Sequence, residues 1–118
     1  MLERWGTSAD KDAEADADIH AASAVPGATP LRELELRAET RVAGVIVAVT
    51  RSLPDEAPRL DIVISDGTGS AAARFLGRRE IPGVAAGRAI VLDGRFCRQQ
   101  GEVRTVNPGY RLIASAAD

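Results

Sequence analysis

Apolar and polar positions alternate most regularly on either side of Asp66-Gly67-Thr68-Gly69. Before it, Leu60, Ile62 and Ile64 fall on one parity and Asp61, Val63 and Ser65 on the other; after it, Ala71, Ala73 and Phe75 oppose Ala72, Arg74 and Leu76. Period-two alternation marks a half-buried strand, because successive side chains leave opposite faces of the backbone. Asp-Gly is a strong two-strand connector: Gly accepts φ > 0 without a Cβ clash, and Asp hydrogen-bonds backbone two residues on. Gly69 offers a second such position and suggests a bulge in the turn. The stretch predicts a hairpin with a core face and an outer face, and it puts Arg74 outside.

Other segments show the same logic less cleanly. Within a strand spanning 35–50, Val42 to Val49 is apolar at both parities, as in a strand buried on both sides, and Gly44 in its middle predicts a bend that lets one strand serve two halves of a barrel. Thr29-Pro30 predicts a short helical turn that buries Leu31 and Leu34. Pro54, Asp55, Glu56 and Pro58 break the chain into a loop. Pro82-Gly83 limits the segment after Gly77 to a turn, with Ile81 and Val84 as its buried residues. A fourth strand over 88–98 carries Ile90, Leu92, Gly94 and Phe96 on one face, Gln99-Gln100-Gly101 turns into a fifth run over 102–106, and 110–113 closes the sheet after Asn107-Pro108-Gly109. Phe75, Phe96 and Tyr110 read as core. The expected class is all-β: a five-stranded Greek-key barrel preceded by one helical turn.

Residues 1–28 show no sustained apolar period and read as a disordered acidic arm, with a frayed helix over 8–24 as the alternative and with Trp5 and His20 solvated; 29–113 form the domain, and 114–118 a frayed tail. The 118 residues, 45% apolar, support a single modest core. One cysteine excludes an intramolecular disulfide, and no Cys or His pair has metal-ligand spacing, which suits a reducing cytoplasm. Neither a long apolar run nor a basic leader is present, so no membrane span or signal peptide is expected.

The net charge of −2 hides a division: the first 29 residues hold six acids against Arg4 and Lys11, whereas 30–113 hold 13 arginines against ten acids. The predicted domain is therefore mildly basic. Its cations are all Arg, whose planar fork suits phosphates and base stacking. No phosphate loop, carboxylate pair or nucleophile with a base can be assembled, Asp66 is a turn residue, and Cys97 is a small strand residue without a base in view. No enzymatic activity, cofactor or small-molecule substrate is expected.

Six short segments, in order, carry a resemblance: Val42-Ala43-Gly44-Val45-Ile46, Asp66-Gly67-Thr68-Gly69, Arg74-Phe75-Leu76-Gly77, Ile81-Pro82-Gly83, Leu92-Asp93-Gly94-Arg95 and Asn107-Pro108-Gly109-Tyr110. Over roughly 29–113 the chain resembles OB-fold nucleic-acid-binding domains of the tRNA-anticodon-binding and RecG wedge type, and small stand-alone actinobacterial proteins of that fold. The resemblance implies an OB-fold barrel that binds single-stranded DNA or RNA with low sequence specificity on the outer face of strands two and three and the flanking loops. The candidate binding residues are Arg74 and Leu76 on that face, Arg51 and Arg59 at the first loop, Arg98 at the last, and Arg104 in the fifth run. No aromatic falls on the face, so affinity on the order of micromolar is expected. A protein-interaction module using the barrel face or the arm is the alternative.

Overall fold

The computed structural model describes residues 25–114. The expectations for residues 1–24, including Trp5 and His20, and for 115–118 lie outside the described residues. Seven strands run in chain order: Glu39–Arg51 (β1), Arg59–Ser65 (β2), Ser70–Leu76 (β3), Ala89–Arg95 (β4), Cys97–Gln99 (β5), Glu102–Val106 (β6) and Gly109–Leu112 (β7). They form one sheet in the order β5-β6-β3-β2-β1-β4-β7, antiparallel except for the β3–β6 pair. Among the described residues no helix is long and apolar enough to cross a membrane.

This corrects the expected closed, five-stranded barrel. The predicted fourth strand is interrupted at Phe96, whose side chain is fully buried. Residues before Phe96 pair with β1 and those after it with β6. The sheet curls until β4 and the opposite edge strand β5 are separated by that single residue, and the chain rather than a hydrogen-bonded ladder spans the gap. A Cβ on Gly94 would lie 2.9 Å from Thr105 Oγ1, and Phe75 of β3 meets Tyr110 of β7 edge-on at 5.7 Å. The concave side is thereby sealed by side chains, not by a continuous ladder.

The long first strand works as its composition requires. Residues 39–45 pair with β4 and 45–51 with β2, with a register shift between Ile46 and Ala48. At the bend the two sheet halves close on Gly44, where an added Cβ would stand 2.8 Å from the Ser65 carbonyl oxygen. Val42 and Ile46 enter the main core with Leu60, Ile62, Ile64, Ala73, Phe75, Ile90, Leu92 and Phe96. Each large aliphatic side chain so buried contributes about 1.5–3 kcal/mol. Ala43 and Val91 face the other way and are covered by Val25, Ala28 and Ile113. Residues 25–28, counted with the arm by composition, thus pack on the back of β1 and β4.

The helical turn is a single 3₁₀ turn, Leu31–Glu33, and its cap comes from far away in sequence. Pro30 supplies no side-chain cap; instead the Leu31 N–H donates to Asp66 Oδ2 at 2.8 Å. Asp66 Oδ1 accepts from the Thr68 N–H, the Thr68 hydroxyl and the Gly69 N–H. Gly67 takes φ 86°, as the Asp-Gly signal requires, whereas Gly69 keeps negative φ and makes no bulge. Gln100 and Gly101, at φ 52° and 79°, form the two-residue turn joining β5 to β6. Between β3 and β4 the chain makes turns only, burying Ile81 and Val84.

Candidate functional site

Register places the outer side chains of three neighbouring strands in rows. On β2 and β3, Asp61 stands opposite Arg74 and Val63 opposite Ala72, and the parallel β6 adds Val106 beside Arg74 and Arg104 beside Ala72. Arg59, Arg74 and Arg104 therefore share one face, with Leu76 and Val106 at its end. Leu76 is 52% exposed and Val106 51%. They form a small apolar patch beside the guanidinium groups.

The arginines of this strip are held. Arg74 donates from Nε to Asp61 Oδ1 at 2.9 Å and from Nη2 to Asp61 Oδ2 at 3.3 Å, while Arg59 Nε reaches the same carboxylate at 3.2 Å. Arg104 Nη2 donates to Glu102 Oε2 at 2.9 Å along its own strand. One carboxylate thus orients two guanidinium groups, which leaves net positive charge and free N–H donors on a partly exposed face. Ion pairs this exposed add at most about 1 kcal/mol of stability, so their main effect here is positional.

The two loops contribute differently. Arg51 lies opposite Leu60, on the parity that faces the core, and its guanidinium pairs at 3.5 Å with Glu80; the structure does not bring it into the strip. The loop after it is clasped by Ser52, whose N–H donates to the Arg59 carbonyl and whose Oγ accepts from the Arg59 N–H. Arg79 Nη2 donates to the carbonyls of Leu53, Pro54 and Glu56, so this arginine is spent on the loop's shape. At the other end Arg98 opposes Val103, off the parity of Arg104, and lines a cleft that also includes Val63. Of the residues singled out from the sequence, the structure brings Arg59, Arg74, Leu76 and Arg104 onto one face, leaves Arg51 and Arg98 off it, and joins Arg74 to Asp61 across the hairpin; Val106 is the neighbour that sequence reasoning did not name. Alternation within Glu102–Val106 gave the parity of Val106; only the β3–β6 pairing shows its neighbour. Among the described residues no group of three or more His, Cys, Asp or Glu could hold a metal ion.

No protein-family model matches the sequence, and no curated protein matches it. Solved structures do share its fold. The OB domain of Ta0387 from Thermoplasma acidophilum superposes with a TM-score of 0.56 at 13% identity, over 72% of this chain and 85% of that one. The second OB-fold domain of replication protein A from Methanococcus maripaludis gives 0.56 at 15%, over 72% and 93%. Schizosaccharomyces pombe Pot1pC, solved bound to single-stranded DNA, gives 0.54 at 10%, over 75% and 88%. These likenesses, together with the bent first strand and the parallel β3–β6 pair, show that the chain has an OB-type fold.

Proposed function

We propose that this protein is a small module that binds single-stranded nucleic acid, DNA or RNA, with low sequence specificity on the outer face of β2, β3 and β6. The observation that carries the reading is the placement of Arg59, Arg74 and Arg104 on one face of three adjacent strands, with Asp61 and Glu102 their only ion-pair partners among the described residues. Guanidinium groups spaced along a shallow curved sheet track a phosphate backbone whatever its bases. Leu76 and Val106 give an aliphatic surface on which a base can rest, in place of the aromatic rings that stronger binders use. Solved neighbours bound to single-stranded DNA, Pot1pC and a replication protein A heterotrimer, support the reading. Binding, not catalysis, is the role proposed.

Fluorescence anisotropy with labelled single-stranded DNA and RNA at two salt concentrations tests it. Binding of both, on the order of micromolar and weakening with salt, is expected. Absence of binding to either at low salt would favour protein docking, for which Leu76 and Val106, with Leu53 at 61% exposure, provide apolar surface.

A further inference from the structure

The β3–β6 ladder is short: it joins Ala72, Ala73 and Arg74 to Arg104, Thr105 and Val106 and does not continue to Ser70 and Ala71 or to Glu102 and Val103. There the sheet splits into a cleft of about 360 Å³. Its mouth and floor follow from parity. Ser70 shares the outward side of Ala72, Glu102 that of Arg104, and Val63 stands opposite Ala72, so these three open onto the arginine strip. Ala71 and Val103 have the inward parity and form the floor with Leu31. Arg98 stands exposed at the rim, with one hydrogen bond of 3.4 Å to the Gly101 carbonyl. The volume lies at the small end of ligand sites, which suits one nucleotide unit and not a longer segment. Aliphatic walls take the flat face of a base, and strand margins without ladder partners offer N–H and C=O groups to its edge.

Resting on the function proposed above, we propose that this cleft seats one nucleobase of the bound strand and prefers a base with an exocyclic amine. Glu102 sets the preference. Its carboxylate lines the cleft, accepts from Arg104 through Oε2, and has acceptor capacity only. A carboxylate there accepts from the N4 amine of cytosine and repels the O4 carbonyl of uracil, two bases of nearly the same shape. Arg98 at the rim meets the phosphate of the same nucleotide. A strand lying on Arg59, Arg74 and Arg104 passes directly over the mouth, so seating the base needs only rotation out of a stack that a single strand holds loosely.

The test compares oligo(dC), oligo(dU) and an abasic oligomer of about twelve units, at neutral pH, on the full chain. Oligo(dC) should bind about tenfold tighter than either of the others. Glu102→Gln, whose amide can accept from cytosine or donate to uracil, should bring oligo(dC) and oligo(dU) to similar affinity while both still bind more tightly than the abasic oligomer. Ser70→Leu, which narrows the cleft from its mouth with an aliphatic side chain that offers no ring for stacking, should bring oligo(dC) down toward the abasic level. Equal affinity of the parent for the three oligomers would overturn the cleft while leaving the strip in place, as would a dC preference that survives both substitutions. Failure of all three to bind would overturn the function proposed above and the cleft with it.

Discussion

At the scale of single residues, carboxylates set the site more than cations do. Asp61 stands between Arg59 and Arg74 and fixes both forks. Asp61→Asn should remove one negative charge from the strip, tighten single-strand binding several-fold at low salt and steepen the log–log salt dependence by about 0.7, the share of one phosphate on a single strand. An unchanged slope would mean that the strand does not lie over this pair. Asp66 works on stability. Burial opposes its charge and is the largest single influence, yet hydrogen bonds from the Thr68 hydroxyl and from the N–H groups of Leu31, Thr68 and Gly69 together outweigh it, so its carboxyl titrates below the ordinary value of 3.8. Because the folded state lowers this pKa, the stabilisation is full above 3.8 and fades as pH falls through the folded value. Asp66→Asn turns an acceptor toward the Leu31 N–H into a donor or leaves that N–H unpaired, and should cost about 1–3 kcal/mol at neutral pH. Thermal melts should show the gap to the parent narrowing in acid; a gap independent of pH would contradict the account.

At the scale of elements, the hairpin was legible because its information is local. Leu60, Ile62 and Ile64 against Asp61 and Val63 specify the faces, and Asp66-Gly67 the turn, without reference to the rest of the chain. Gly44 likewise announced the bend. What the local pattern could not contain is contact over distance. The cap on Leu31 comes from Asp66, 35 residues on. Phe96 alternates correctly with Ile90 and Leu92, so nothing in the pattern says that the ladder changes partner there. Arg51 was misplaced for a related reason: as the last residue of a bent strand it reads as loop, while pairing puts it opposite Leu60. The bend itself is testable. Gly44→Ala would force a Cβ to 2.8 Å from the Ser65 carbonyl, a backbone atom that cannot swing aside. Destabilisation by roughly 1–3 kcal/mol is expected in denaturant titration. A melt like the parent's would mean that β1 and β2 do not approach so closely at this point.

At the scale of the whole molecule, one curled sheet presents two outer surfaces of different character. Over β1 and β4 the arginines Arg41 and Arg95 are each matched by one carboxylate, Asp93 and Glu39, and Val25, Ala28 and Ile113 cover the apolar remainder. Over β2, β3 and β6, among the described residues, the arginines outnumber the carboxylates, and Leu76 and Val106 are about half exposed. Composition gave only the sum of these two surfaces, a mildly basic domain; the asymmetry appears once pairing assigns each charge a neighbour. Whether nucleic acid lies on this face is decided by the salt dependence of single-strand binding for the Arg59→Ala/Arg74→Ala/Arg104→Ala protein, with Arg111→Ala, on β7 beyond β1 and β4, as the matched control. With each strip arginine neutralising one phosphate, the triple variant should flatten the slope by about 2 and weaken DNA and RNA alike, and Arg111→Ala should leave the slope near that of the parent. A folded triple variant that binds with the parent's affinity and slope, or a control that loses as much per charge as the strip, would contradict the assignment of this face.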